Sequence, residues 1–295
     1  MSVKFCKETK EGRKINTNGV KTLSSYVASN VLITSQNTIT MNLTNSTPNN
    51  QQAANLVLEL TFYQEGLMQG NISCPGEDPR FGISSTGIGV EWSQLNPVTN
   101  LSFITDIRQD KVSINLSSSN GKDNIQYVVT YSPFKIIQYV NSIVTLVIND
   151  DDSLRYAALD APHNTYMDGT DQLIEGYEIG VGFTLSADYT FGLPQRASDT
   201  FVLKTNENYR LFNQDKFVHP YGSNDPLYGS WPYLTGHSAV MDASVAWMNS
   251  SETYVQLETT TNSITAQSAT EGYFVSVGGK FEFFVFGTTQ GPKQN

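Results

Sequence analysis

The chain has 295 residues, of which 16% are charged and 11% are aromatic, and its formal net charge is −10. This balance argues against a nucleic-acid partner, because binding to phosphates depends on clustered Lys and Arg that release counterions. No window of about 18 consecutive apolar residues occurs, so we expect no membrane span.

Residues 1–20 are charged and contain glycine, which predicts an arm over the surface. They hold no apolar segment of the signal-peptide kind. Cys6 and Cys74 leave two alternatives open, either separate thiols or one disulfide that ties the arm down. Asn-x-Ser/Thr sequons nevertheless favour a secretory setting. They begin at Asn42, Asn45, Asn71, Asn100, Asn115 and Asn249.

Alternation of apolar and polar residues predicts strands along most of the chain. It is cleanest in residues 55–63, where every second side chain from Leu56 to Phe62 is apolar. Asn120-Gly121 predicts a hairpin, because this pair accepts the positive φ angles of a type I′ turn. The predicted strands are 27–44 with a turn near 36–37, 55–63, 81–83, 89–92, 101–116, 125–131, 134–139, 143–149, 176–185, 189–191, 243–248, 253–258, 263–267, 273–277 and 280–286.

Residues 46–53, 66–78 and 153–175 lack this alternation and are predicted to be loops. The acidic 153–175 segment lacks the alternating ligand spacing of a calcium loop, so we interpret it as a solvated insertion. No helix of 10 or more residues is predicted. Strands spaced about 8–12 residues apart predict an all-β fold, a large two-sheet antiparallel β-sandwich.

Residues 209–238 hold the densest mixture of aromatic rings, turn residues and single polar groups in the chain. Their length and broken alternation predict an ordered functional loop between strands. This mixture suits sugar recognition, since aromatic faces stack on sugar rings while carboxylates and amides bind hydroxyls. The candidates, most of which we expect to fill the core, are Tyr209, Phe212, Asn213, Asp215, Phe217, Tyr221, Tyr228, Trp231 and Tyr233.

Asp215 differs from the other candidates because it is a short carboxylate between Phe212 and Phe217. An unpaired buried carboxylate is too costly, so we expect Asp215 to have a partner or to face a cleft.

Other chemistries lack their sequence patterns. There is no G-x-S-x-G nucleophile motif, and neither cysteine lies in an activating context. No H-x-H or C-x-x-C pair occurs, and His219 and His237 are far apart, so no metal or cofactor is predicted. The glycines of 176–182 fall within a predicted strand, which indicates packing rather than a phosphate loop.

Four segments in a fixed order carry a resemblance to a known family. They are GLPQRAS at 192–198, YRLFNQD at 209–215, LYGSWPY at 227–233 and WMNSSET at 247–253. With them the chain resembles the N-terminal β-sandwich of family 31 glycoside hydrolases, and among these the glucosidase II-type α subunits. The resemblance covers nearly the whole chain and is strong over residues 176–258.

The resemblance implies a galactose-mutarotase-like sandwich over residues 21–288, with residues 289–295 beginning a linker to a (β/α)₈ catalytic barrel. It also implies retaining α-glucoside hydrolysis, which needs two carboxylates about 5–5.5 Å apart. Because the family's Trp-x-Asp-Met-Asn-type nucleophile segment does not occur here, we expect no catalytic residue in this chain and no turnover by the chain alone.

For substrate binding, the resemblance implies that Asp215 contacts sugar hydroxyls and that Phe217 stacks on the sugar beyond the cleaved bond. Gln195 is a departure, because the family usually has Glu there, and a salt bridge at this position is in doubt. The implied partners are an α-glucoside or N-glycan oligosaccharide, the catalytic barrel of the same protein and a glucosidase II β-type subunit. The implied location is the endoplasmic-reticulum lumen or secretory pathway. Exposed apolar surface is expected near Trp231 and Trp247, where the barrel would dock.

Two further functions stay open at this point. One is a free-standing carbohydrate-binding or scaffold protein without hydrolase activity. The other is a mutarotase, which needs a His/Glu acid–base pair, although His219, His237 and Glu252 show no supporting spacing.

Overall fold

A computed structural model shows the protein as two large, packed antiparallel β-sheets with two small two-stranded sheets beside them in the chain. The structure describes residues 25–45, 53–77, 80, 95–101, 105–118, 121–157, 165–167, 173–175, 179–215, 217–249, 251–276 and 278–289. A 3-10 turn lies at Gln64–Gly66, and among the described residues no helix is long and apolar enough to cross a membrane. The predicted arm (1–20), the predicted strands 81–83 and 89–92, and Cys6 lie outside the described residues.

The strands, in chain order, are β1 Tyr26–Ile33, β2 Thr38–Asn45, β3 Asn55–Phe62, β4 Met68–Ser73, β5 Thr105–Ile107, β6 Lys111–Ser117, β7 Asn124–Tyr131, β8 Phe134–Val140, β9 Ile143–Ile148, β10 Arg155–Tyr156, β11 Thr165–Met167, β12 Leu173–Glu175, β13 Ile179–Leu185, β14 Tyr189–Gly192, β15 Arg196–Ala197, β16 Glu207–Leu211, β17 Ser223–Pro226, β18 Tyr233–His237, β19 Asp242–Trp247, β20 Thr253–Thr261, β21 Ser268–Ser276 and β22 Phe281–Thr288.

The first sheet has eight strands in the order β1-β2-β3-β4-β22-β19-β18-β14. Its strand β3 buries the apolar face that the alternation predicts, from Leu56 to Phe62, against the second sheet. The neighbouring strand β4 places Ile72 opposite Leu58, which continues the same buried face.

The second sheet has ten strands, in the order β16-β20-β21-β13-β9-β8-β7-β6-β5 with β10 beside β13. Strands β6 to β9 form a meander, in which each strand pairs with the next. Strand β13 lies in the middle of this sheet and every one of its residues is buried. A Cβ at Gly182 would lie 2.2 Å from Glu271 Oε1, so this glycine is needed for packing, as the sequence predicts.

The core between the sheets is centred on aromatic side chains from both. Trp247 of the first sheet packs edge-on against Phe281 at 4.8 Å and Phe183 at 6.4 Å between ring centroids. Its indole nitrogen donates to Ser276 Oγ at 2.8 Å, so the buried N–H is satisfied. The all-β, two-sheet antiparallel sandwich predicted from the sequence is confirmed.

Five expectations about local structure are wrong. The acidic segment 153–175, predicted to be a loop, contains the short strands β10, β11 and β12. Residues 68–73 are strand β4 and not part of a loop, and residues 263–267 form a turn and not a strand. That turn is held by Asn262, whose side-chain oxygen accepts from Ile264 N and Thr265 N. Trp247 is 1% exposed and fills the core, so it offers no surface to a barrel. Finally, the stretch 209–238 is a loop only in part, because it contains the end of β16 and all of β17 and β18.

Candidate functional site

The candidate site is the connection between β16 and β17, residues 212–222, together with residues 227–231 that run beside it. Strand β16 ends at the buried Leu211, after which the chain leaves the sheet and carries Asp215 and Phe217. Gln214 N donates to Leu227 O at 2.7 Å, which holds the outgoing chain against the returning one. The loop is therefore attached at its base to the rest of the sandwich.

Arg196 is the principal anchor beneath this loop. Its guanidinium donates to Leu193 O at 2.9 Å, to Arg210 O at 2.6 Å and to Asn224 O, and it lies over the Tyr209 ring at 5.1 Å. Burial lowers the pKa of Arg196 to about 10. One side chain thus joins the strands on both sides of the loop.

Gln195 forms a second attachment through backbone and side chain together. Its amide N donates to Gly229 O at 2.7 Å, its carbonyl accepts from Leu227 N at 3.1 Å, and its side-chain Oε1 accepts from Gly229 N at 3.1 Å. A side-chain oxygen is what this position uses, and Gln supplies it without a charge. The neighbouring Arg196 donates to backbone carbonyls.

Asp215 is exposed, and its Oδ1 accepts a hydrogen bond from Tyr228 Oη at 2.9 Å. That bond raises the pKa of Tyr228. His219 packs edge-on against the Tyr228 ring with 5.7 Å between ring centroids. Phe217 is fully exposed, at 103% of its reference area. A carboxylate held by a tyrosine and followed by an uncovered aromatic ring is an arrangement that can bind a polyhydroxylated ligand.

The other sugar-recognition candidates divide into buried and exposed side chains. Tyr209 is 1% exposed, and its hydroxyl donates to Lys204 O, so it belongs to the core. Phe212 is partly covered by Arg210, whose guanidinium lies 4.6 Å from the ring centre. The remaining candidates are exposed, and they are Asn213, Tyr221, Tyr228, Trp231 and Tyr233.

Sequence reasoning missed the anchoring role of Arg196 and also missed Phe201, which is 93% exposed. Arg196 lies inside the GLPQRAS segment, so an arginine within a segment that carries the family resemblance was the available signal.

The residues required by the mutarotase alternative are engaged elsewhere. Glu252 accepts from Arg210 Nε at 2.5 Å and from Tyr254 Oη at 2.6 Å, while His237 Nδ1 lies 2.5 Å from Asp242 Oδ1. The contacts within the described ranges do not join Glu252 to either histidine. The described part of the chain also holds no group of three or more His, Cys, Asp or Glu side chains placed to bind a metal ion.

Cys74 has a local contact, because its Sγ lies 3.6 Å from Asn55 O. Since Cys6 lies outside the described residues, the disulfide alternative stays a prediction.

Comparisons with known proteins agree with this architecture. The family model of the Glycosyl hydrolase 31 N-terminal galactose mutarotase-like domain matches residues 92–256, which is more than half of the chain. The chain is 36% identical over 87 residues to Neutral alpha-glucosidase AB of Mus musculus, a match covering 28% of this chain and 9% of that protein. It is 24% identical over 200 residues to Glucosidase 2 subunit alpha of Schizosaccharomyces pombe, covering 59% of this chain and 21% of that protein.

Among solved structures, the chain superposes on a Tris-bound glucosidase II alpha subunit with a TM-score of 0.77 and 17% sequence identity. The superposition covers 97% of this chain and 35% of that one. At this identity the likeness establishes the fold. The chain therefore spans about a third or less of the length of the proteins it matches.

Proposed function

Since the chain belongs to the Glycosyl hydrolase 31 N-terminal galactose mutarotase-like domain family, we propose that it is the accessory, substrate-binding domain of a glucosidase II-type α-glucosidase. The observation that carries the proposal is the Asp215 loop. Its carboxylate is exposed and held by Tyr228, and it precedes the fully exposed Phe217. We infer that this loop forms one wall of the sugar-binding pocket.

In this proposal Asp215 binds substrate and does not cleave it. A carboxylate offers about four acceptor positions, so Asp215 can accept from sugar hydroxyls while it keeps the bond from Tyr228. Phe217 supplies an apolar face on which a sugar ring stacks. The two carboxylates that retaining hydrolysis requires are assigned to a (β/α)₈ barrel encoded outside these 295 residues.

The proposed substrate is a glucosylated oligosaccharide of the N-glycan type. Solved glucosidase II alpha subunits with an alpha3-Glc2 ligand and with a Glc1Man2 ligand superpose on this chain with TM-scores of 0.75 and 0.74. Those ligands are bound by those proteins, and the shared fold supports carrying the substrate class over. For the same reason we propose that the protein acts in the endoplasmic-reticulum lumen.

A regulatory subunit is the proposed protein partner. One superposed structure is a heterodimeric ER glucosidase II complex of a catalytic subunit with the binding domain of a regulatory subunit, and it matches with a TM-score of 0.76. We propose that a subunit of this β type associates with the intact protein that contains this domain.

The test compares this chain with the product of the full gene that encodes it, using release of nitrophenol from a nitrophenyl α-glucoside. We expect no turnover by the 295 residues alone and clear turnover by the full product. Turnover by the chain alone that is lost in Asp215→Ala would contradict the assignment of catalysis to a barrel. A full product that hydrolyses no α-glucoside would contradict the proposal as a whole and favour a free-standing binding protein.

A further inference from the structure

A cavity of about 400 Å³ lies on the outer face of the eight-stranded sheet. Phe283 and Val285 of β22 point into the core, so the alternating Phe284 and Phe286 face outward. Ser244 and Ala246 of β19 lie beside them, because Ser244 is opposite Phe286 and Ala246 is opposite Phe284. The residues lining the cavity are Tyr63, Gln64, Glu65, Leu67, Leu95, Asn96, Tyr233, Ser244, Ala246, Phe284 and Phe286.

The wall opposite the sheet is a defined structure. It consists of the 3-10 turn with its flanking residues and the segment at 95–98. Gln64 N donates to Asn96 O at 2.8 Å, Val98 N donates to Phe62 O at 3.2 Å, and Tyr63 N donates to Leu67 O at 2.9 Å. These backbone bonds fix the wall over the sheet, so the cavity is largely preformed.

Two tyrosine hydroxyls in the cavity have their protons committed to the protein. Tyr63 Oη donates to Gln69 Oε1 at 2.8 Å, and Tyr233 Oη donates to Ser244 Oγ at 3.0 Å. Each hydroxyl keeps lone pairs that can accept. A ligand that pairs with these oxygens must therefore supply hydrogen-bond donors, as the hydroxyls of a sugar do.

The charge and the apolar surface of the cavity restrict the class of ligand further. Among the described residues that line the cavity, Glu65 carries the only charge and there is no cation, which disfavours phosphates and carboxylates. The partly exposed ring of Phe286, beside the largely buried Phe284, provides an apolar surface of the kind on which a pyranose stacks. The volume lies within the range of small-molecule sites, roughly 300–1,000 Å³.

We propose that this cavity is a second carbohydrate site, which takes a neutral pyranose unit of an α-glucoside and is separate from the Asp215 loop. The choice of a neutral α-glucoside rests on the proposed function, whereas the requirement for a donor-rich ligand that is not an anion rests on the cavity itself. Such a site would hold a part of the oligosaccharide remote from the bond that is cleaved.

The test is a titration of the full 295-residue chain with maltose, in which binding is measured by isothermal titration calorimetry and by saturation-transfer NMR. We expect saturable binding with a Kd on the order of 1 mM, as is typical of a small ligand with few contacts. Inorganic phosphate is the second probe and is expected not to bind. No saturable binding of maltose by the wild-type chain would overturn the proposal.

Variants locate the binding. Tyr233→Ala removes part of the cavity wall and one hydrogen-bond acceptor, so the Kd for maltose is expected to rise about tenfold or more. Ala246→Leu puts a larger side chain into the cavity and is expected to abolish binding. Tyr189→Ala is the matched control, because Tyr189 is also an exposed tyrosine of this sheet, at 54%, and does not line the cavity. We expect it to change the Kd by less than about twofold, and retained β-sheet circular dichroism verifies the fold of every variant.

The outcomes separate this site from the Asp215 site. Maltose binding lost in Asp215→Asn but kept in both cavity variants would overturn the cavity proposal and leave the proposed function standing. Cavity binding that persists while Asp215→Asn has no effect on α-glucoside turnover by the full product would support the cavity and contradict the role of Asp215. Binding by the chain that disappears in the full product would mean that another part of that protein covers the cavity, which would also overturn the proposal.

Discussion

Arg196→Met tests whether one side chain holds the Asp215 loop in place. The substitution keeps a side chain of similar length while it removes the hydrogen bonds to Leu193 O, Arg210 O and Asn224 O. Hydrogen bonds from a charged donor contribute about 1.5–3 kcal/mol each. Burying the guanidinium costs part of this, as its lowered pKa of about 10 indicates. We therefore expect a net loss of about 3 kcal/mol in the free energy of unfolding.

Urea denaturation followed by circular dichroism measures this loss, and hydrogen exchange locates it. The amide of Gln214, which donates to Leu227 O at the base of the loop, should exchange faster by a larger factor than core amides such as that of Val245. Arg108→Met is the matched control, because Arg108 is 61% exposed and forms a surface pair with Asp106 at 2.7 Å. We expect this control to change stability by less than about 0.5 kcal/mol.

Equal effects of the two methionine substitutions would contradict the anchoring role of Arg196. So would a large loss of stability in Arg196→Met with no selective change in exchange near the loop, because Arg196 would then support the whole sandwich rather than the site.

Three further changes test other parts of the fold. Gly70→Ala would place a methyl group 2.2 Å from the Phe283 ring and should lower the free energy of unfolding, measured by urea denaturation, by about 1–3 kcal/mol. A Phe283→Leu background should relieve that loss, and an equal loss in both backgrounds would contradict a clash between the methyl group and the ring. For Asp123, burial raises the pKa, but hydrogen bonds from Thr289, Thr288 and Asn141 outweigh the effect of burial, so the net pKa is lowered. The stabilisation that the Asp123 carboxylate provides is therefore complete above its ordinary pKa of 3.8 and is lost as the pH falls through the folded pKa. Asp123→Asn should thus lower stability by about 1–2 kcal/mol at neutral pH, and a gap from wild type that does not shrink below pH 3.8 would contradict this sign. Gln195→Ala should cost about 1 kcal/mol through loss of the acceptor for Gly229 N, whereas Gln195→Glu should not, and equal losses would contradict the acceptor role.

Strict alternation made the strands of the sandwich predictable. Strand β3 follows the pattern because one face of it packs against the opposite sheet. The pattern failed in β4, where Gly70 interrupts it; this glycine leaves room for the Phe283 ring, which is a tertiary requirement. It failed again at 263–267, where the side chain of Asn262 bonds to nearby backbone amides and turns the chain.

The candidate site could be predicted in composition but not in its contacts. Asp215 stood out because a carboxylate among aromatic residues needs a partner, and the structure supplies Tyr228, 13 positions along the chain. The same reasoning could not separate the core aromatic Tyr209 from the exposed Phe217, because both lie in one aromatic segment without periodicity. Trp247 was misplaced for a similar reason, since only the sheet register shows that it faces the core.

Steady-state kinetics of Asp215→Asn in the product of the full gene, with an α-glucoside as substrate, test whether Asp215 binds the sugar. If Asp215 binds sugar hydroxyls, kcat/KM should fall about 10–100-fold, since hydrogen bonds to a charged acceptor contribute about 1.5–3 kcal/mol. Asp199→Asn is the control, because Asp199 is an exposed aspartate paired with Lys204 at 3.2 Å, and it should leave kcat/KM within about twofold. An Asp215→Asn enzyme whose kcat/KM matches that of wild type would contradict the account.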